Sequence, residues 1–211
     1  MKTRIVLATA NPGKIGEFRE LLPPCFEAVS VVELGITLPP ETGSSFEENA
    51  LIKARAAAQA TGWIALADDS GLEVDALGGR PGVHSARYAG EGASDRENVA
   101  LLLEHLRGIP PERRTARFRA VIALVTPDGR EALAEGTVEG TIAETPRGEQ
   151  GFGYDPIFVP LSHERTFAEM TMEEKNRLSH RARALERAVA ILKTWVPCSD
   201  EDLPRQEGSS A

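Results

Sequence analysis

The sequence predicts a mixed α/β fold, and three observations predict it. A continuous apolar run, Ile5-Val6-Leu7-Ala8, begins almost at residue one, the pattern of a strand buried on both faces. Strand-like and helix-like segments then alternate through the first half, as parallel β-α units require. Later, Arg117 to Thr126, the turn Pro127-Asp128-Gly129 and an alternating stretch over 130–143 read as an antiparallel hairpin. Together they call for a mixed sheet flanked by helices rather than a purely doubly wound one.

In chain order, Thr9 to Lys14 forms a turn-rich loop after the first strand. Ile15, Phe18, Leu21 and Leu22 have helical spacing, and Pro23-Pro24 stops that helix. Residues 26–32 supply a second strand, and a Pro/Gly-rich loop covers 33–44. Ser45 and Glu48 make a capping-box pair for an Ala-rich helix running to about Thr61, closed by Gly62. Ile64-Ala65-Leu66-Ala67 is a short buried strand that ends in Asp68-Asp69-Ser70-Gly71. A glycine-rich loop spans 78–92, and Ser94 with Glu97 caps the helix carrying Val99, Leu102, Leu103 and Leu106. A second glycine loop, Gly148 to Asp155, leads to the strand Ile157-Phe158-Val159. Thr171 and Glu174 cap one last helix to about Trp195. The organisation is a single domain over 1–196 with a polar tail over 197–211.

Composition narrows the function. The chain has 211 residues, 24 Lys plus Arg against 32 Asp plus Glu, and a formal net charge of −8. A general nucleic-acid binder gains affinity by releasing counterions to a basic surface, so this balance argues against that class. Any phosphate site must gather its cations locally. Cys25 and Cys198 lie far apart with no metal-ligand spacing, which argues against structural zinc and leaves a disulfide open. The apolar part of the N-terminus spans only about four residues, short of the roughly 7–15 of a secretory core, and no run nears the ~20 needed to cross a bilayer. The expectation is a soluble, cytoplasmic protein without a membrane partner.

Five constellations offer chemistry. Thr9-Ala10-Asn11-Pro12-Gly13-Lys14 joins a strand to a helix N-terminus, where unpaired N–H groups and the dipole suit an anion. It is not a P-loop, because Ala8 replaces the first Gly and Ile15 the Ser/Thr; an ordinary turn with a solvated lysine fits it too. At the end of a buried strand, the neighbours Asp68 and Asp69 point to opposite faces, so one of them faces a given cleft, able to ligate Mg²⁺ or deprotonate a water. A plain Asx turn competes with that reading, and the D-x-D-x-[TV] spacing of an aspartyl phosphatase is absent. Glu47 and Glu48 are explained by the helix start, whereas Glu41 is not, making Glu41 the metal-ligand candidate; Lys53 reads as solvated or as a phosphate contact. Phe152 and Tyr154 flank Gly153 beside Asp155, a stacking surface in a chain with only seven Phe, two Tyr and two Trp. Lys175 and Ser179, four apart in the last helix, share a face, with His180 and Arg181 next to them as contacts to a base edge, a carbonyl oxygen or a phosphate.

Taken in order, Thr9 to Lys14, Glu41-Thr42-Gly43 with Phe46 to Ala50, Ala67 to Leu72, Gly78 to Tyr88, Gly151 to Pro156 and Glu174 to Ala182 resemble the inosine triphosphate pyrophosphatase family, which removes non-canonical purine nucleoside triphosphates. The resemblance covers residues 4 to about 195. It implies an elongated mixed sheet with two lobes and a central cleft, a homodimer and a Mg²⁺ requirement. By the same resemblance, Thr9, Ala10, Asn11, Pro12, Gly13, Lys14, Lys53 and Ser70 meet the triphosphate, and Asp69 is the catalytic carboxylate and a metal ligand with Glu41. Phe152, Gly153, Tyr154, Asp155, Lys175, His180 and Arg181 hold the nucleoside. His84 stands where the family usually has Tyr, and Pro40 stands where it often has a second Glu. The implied reaction is water attack at the α-phosphorus of ITP, dITP or XTP, giving monophosphate and pyrophosphate, with Asp69 ionised at its ordinary pKa near 3.9. A pyrophosphatase for other modified or canonical nucleotides, or a nucleotide-binding module without catalysis, is the alternative.

Overall fold

A computed structural model describes residues 2–196 and 198. The remainder of the proposed tail lies outside the described residues. The first apolar run forms β1 (Thr3–Leu7), followed by α1 (Pro12–Leu21) and β2 (Phe26–Ser30). Then come α2 (Phe46–Thr61), β3 (Ile64–Val74), α3 (Asp95–His105), β4 (Thr115–Val125), β5 (Glu131–Ile142), β6 (Phe158–Pro160), α4 (Met172–Asn176) and α5 (His180–Trp195). The sheet order is β2-β1-β3-β4-β5-β6. β1 pairs in parallel with β2 and β3, and β3 to β6 pair antiparallel, so the sheet is mixed as predicted.

Small residues decide how the layers meet. The buried stripe of α2 carries Ala50, Ala54, Ala57 and Ala58, which pack on Val6, Ala65, Ala67, Val121 and Ala123 of one sheet face. On the other face, α1 and α5 bury Phe18, Ala184, Leu185, Ala188 and Leu192 against Ile5, Leu7, Leu66, Ile122 and Leu124. A β-carbon at Gly136 would collide with the His180 carbonyl, so glycine in β5 is what lets the start of α5 lie against the sheet. The long strands β3, β4 and β5 run on into a second core, where Leu72, Leu102, Leu106, Phe118, Phe158 and Phe167 pack together. The site lies between these two halves.

Three local expectations need correction, and one open question is answered. Asp68-Asp69-Ser70-Gly71 does not end a strand: β3 continues through it to Val74, paired residue for residue with β4. Non-local pairing with a buried partner overrides the turn chemistry of Asp-Ser-Gly. The capping box of α2 is half formed, because Ser45 accepts from the Glu48 N–H while the Glu48 carboxylate turns to the backbone and hydroxyl of Ser44. The last helix is two helices. Thr171 and Glu174 form their box on α4, and Ser179 caps a separate α5, so Lys175 and Ser179 do not share one helical face. Finally, Cys25 and Cys198 are joined in a disulfide that ties the chain beyond α5 to the turn before β2.

Candidate active site

One cleft of about 590 Å³ collects nearly every predicted site residue. Thr9, Ala10, Asn11, Lys14, Glu41, Lys53, Asp69, Ser70, Phe152, Gly153, Tyr154, Asp155, Lys175, His180 and Arg181 all line it. Pro12 and Gly13 do not. Gly13 lies beneath the Phe152 ring, which leaves no room for a β-carbon there.

One end is built by β1, α1, α2 and β3. Asn11 caps α1, accepting from the Lys14 N–H, while the Thr9 hydroxyl accepts from the Asn11 N–H. The side chain of Lys14 reaches Asp68 at 2.5 Å. Asp68 is fully buried; burial opposes its charge, but Lys14 and Arg181 hold its carboxyl well below the usual range. Burial in turn lowers the Lys14 ammonium, against the pull of Asp68. Strand alternation puts Asp69 on the opposite face, among the residues of α2. Lys53, buried rather than solvated, bonds Glu41 at 2.5 Å and the Asp68 carbonyl at 2.8 Å, and lies 3.7 Å from Asp69. Burial pushes Asp69 up to about 6, with Glu41 adding repulsion and Lys53 opposing it. That corrects the expectation of an ordinary carboxylate pKa. One oxygen of Asp69 is buried without a partner.

The other end is a buried network on α1, α4 and α5. Glu17 accepts from Lys175 at 2.9 Å and from Arg181. Lys175 also bonds Asp155 at 2.7 Å, and Asp155 accepts from the Phe152 N–H at 2.9 Å. Against the upward push of burial, Arg181 and Lys175 keep Glu17 below its usual range. Arg181 donates to the Ser70 hydroxyl at 3.2 Å, and Ser70 donates to Asp68 at 3.1 Å. The Phe152 ring is half-buried, with Lys175 4.8 Å and Arg181 5.5 Å from its centroid, a cation–π arrangement. Tyr154 is a core residue: its ring is buried and its hydroxyl donates to the Ser85 carbonyl at 2.9 Å, so the free aromatic face belongs to Phe152. His180 stacks on Phe118 with ring centroids 4.8 Å apart, and burial, reinforced by Arg181, keeps it neutral.

Sequence reasoning missed Glu17, the structural role of Asp68, and the pocket residues Arg87 and Asp95. Asn49 was missed too; it is fully buried and its side-chain oxygen accepts from the Gly43 N–H, fastening the Glu41 loop. A usable signal existed for Glu17, Asn49 and Lys53, since each is a polar residue on the helical stripe that otherwise faces the core.

The donors also bear on a metal. Among the described residues, no three His, Cys, Asp or Glu side chains gather into a cage. Asp69 and Glu41 instead flank the single ammonium of Lys53, and the unpartnered Asp69 oxygen remains. Two carboxylates fit the way Mg²⁺ binds, with few protein ligands and the rest supplied by phosphates and water.

Known proteins resemble this chain in sequence and fold. A model described as the Ham1 family matches residues 5–191. A dITP/XTP pyrophosphatase from Desulforamulus reducens is 54% identical, covering 90% of this chain and 95% of that protein. One from Bacillus subtilis is 52% identical, covering 89% and 96% respectively. Among solved structures, a HAM1 protein from Coxiella burnetii aligns with TM-score 0.83 at 46% identity, over 91% of this chain and 99% of the other.

Proposed function

The chain belongs to the Ham1 family, and from that premise we propose that its cleft hydrolyses non-canonical purine nucleoside triphosphates, dITP, ITP and XTP, to monophosphate and pyrophosphate. It is a hydrolase of the nucleotide pool, like the relatives named dITP/XTP pyrophosphatase. The observation that carries the reading is the pairing in one cleft of a carboxylate of raised pKa, Asp69, beside two lysines, with an aromatic-and-cation pocket around Phe152.

Lys14 and Lys53 hold the phosphates, with the Thr9–Lys14 loop and Ser70 beside them. Mg²⁺, held by Asp69 and Glu41, supplies neutralisation of phosphate charge when bound. Asp69, raised by burial in the metal-free protein but with Lys53 and Lys14 opposing that rise, would accept the proton of the attacking water. Lys175, His180 and Arg181 orient the nucleoside against Phe152. Their N–H groups suit the 6-oxygen of hypoxanthine or xanthine and leave adenine's 6-amino group facing donors, an arrangement able to discriminate by about 10⁴–10⁵. The enzyme works in the cytoplasm as a homodimer, without nucleic-acid or membrane partners; sedimentation velocity tests the dimer. No helix among the described residues is long and apolar enough to cross a membrane.

Product analysis on a panel of dITP, ITP, XTP, ATP and dTTP with Mg²⁺ tests the reading. Monophosphate and pyrophosphate should come from the first three and little from the others. Diphosphate and phosphate would overturn it.

A further inference from the structure

Asp95 is the first residue of α3, and capping that helix does not need it. Ser94 accepts from the Glu97 N–H, and Glu97 returns to the Ser94 backbone and hydroxyl, completing a capping box. Asp95 instead accepts from the Gly153 N–H at 2.7 Å, joining positions 58 residues apart. Asp95 also lines the cleft.

The bond falls on a half-buried part of the loop over 151–155. Tyr154 and Asp155 are buried, and they are held by Ser85 and Lys175 respectively. Phe152 and Gly153 are only half-buried. Gly153 has φ +61°, in the left-handed region, so this backbone is shaped for a glycine and offers no side chain of its own to anchor it. The Phe152 ring next to it covers Gly13 and shares its face with Lys175 and Arg181. One turn further along α3, Asn98 is buried and bonds Ala89 and Ala86 on the segment that carries Arg87. The first turns of α3 thus grip two strands of chain around the cleft, and Asp95 is the grip on the nucleoside side.

We propose that Asp95 is a positioning residue that latches the 151–155 loop across the cleft and so sets where Phe152 stands. The consequence for dITP binding rests on the proposed function; the latch itself does not. The test compares wild type, Asp95→Ala and Asp95→Asn by hydrogen–deuterium exchange of the peptide spanning 148–156, and by steady-state kinetics on dITP with Mg²⁺. Asparagine keeps an acceptor for the Gly153 N–H and alanine does not. Exchange of that peptide should quicken in Asp95→Ala and return toward wild type in Asp95→Asn. KM for dITP should rise about three- to tenfold in Asp95→Ala, with kcat within about twofold and most of the loss recovered by asparagine. Unchanged exchange in Asp95→Ala overturns the latch. Faster exchange with unchanged KM overturns its role in placing Phe152. A wild-type protein that releases no pyrophosphate from dITP contradicts the proposed function, and the exchange rates then decide the latch by themselves.

Discussion

The two ends of the cleft carry similar charges and hold them differently. At the Lys14–Lys53 end, Lys53 is shared by Glu41 and Asp69, and Asp69 keeps an unpartnered oxygen. At the Lys175–Arg181 end, Glu17 binds both cations, and Asp155 binds Lys175 again. The first set can exchange partners when phosphates arrive. The second is fixed before any ligand arrives, which suits recognition of a base by shape and hydrogen bonds. The proposed chemistry falls where one ammonium serves two carboxylates, and the proposed selection falls where Lys175 and Arg181 are each bonded to a carboxylate.

The largest effect should come from Asp69→Asn. Losing the proton acceptor should lower kcat by about 10³-fold, without lowering stability. Burial raises Asp69 to about 6, so the folded protein holds this proton more tightly than the unfolded chain does. Its ionisation therefore costs stability progressively from about pH 4 to pH 6, amounting to about 3 kcal/mol above that. In cation-free buffer the asparagine variant should melt at or above wild type at pH 7, and the difference should vanish below about pH 4. A variant that melts well below wild type at pH 7 would mean that Asp69 is structural.

Glu17→Ala attacks the other end. It removes the carboxylate that Lys175 and Arg181 share, leaving Lys175 with Asp155 alone and Arg181 without its nearest carboxylate, and breaking such a buried pairing costs about 3–5 kcal/mol. Chemical denaturation should report that loss, in contrast to Asp69→Asn. A stability within about 1 kcal/mol of wild type would show that the base end is no more rigid than the phosphate end.

Kinetic selectivity separates the ends next. Lys14→Ala should raise KM for dITP and dATP by the same factor, roughly tenfold or more, because a triphosphate is common to both. Arg181→Ala should reduce kcat/KM for dITP far more than for dATP. Equal proportional loss in Arg181→Ala would assign Arg181 to the phosphates.

The smallest kinetic effect should come from the disulfide. Cys25 and Cys198 lie near the C-terminal ends of α1 and α5, whereas the site uses the N-terminal ends of both helices. Cys198→Ser should lower Tm by roughly 5–15 °C and leave kcat/KM for dITP within about twofold. A large kinetic change would show that the far ends of these helices govern the cleft.

The same contrast explains what was legible in the sequence. Features set by local rules were readable: β1 from its apolar run, α3 from the Ser94–Glu97 box, the β4–β5 hairpin from Pro127-Asp128-Gly129. Features set by distant partners were not. β3 continues through Asp-Asp-Ser-Gly because β4 pairs with it, and nothing local says so. The break between α4 and α5 falls in Arg177-Leu178-Ser179, residues that a continuous helix tolerates, and Ser179 becomes a cap only in the folded context. At the site, Lys14, Asp69 and Arg181 were legible as charged residues in loop or helix-end motifs. Glu17 was legible only as a polar residue on a core-facing stripe; its role was not, since its partners Lys175 and Arg181 lie more than 150 residues away along the chain. Tyr154 lines the cleft, but its place in the core was not legible, because a glycine loop says nothing of the Ser85 carbonyl that receives its hydroxyl.

In the proposed reaction, water attacks the α-phosphorus at the Asp69 end of the cleft. Hydrolysis of dITP in oxygen-18 water, followed by mass spectrometry of both products, tests it most directly. One labelled oxygen should appear in dIMP and none in pyrophosphate. Label in the pyrophosphate, or release of dIDP and phosphate, would contradict it.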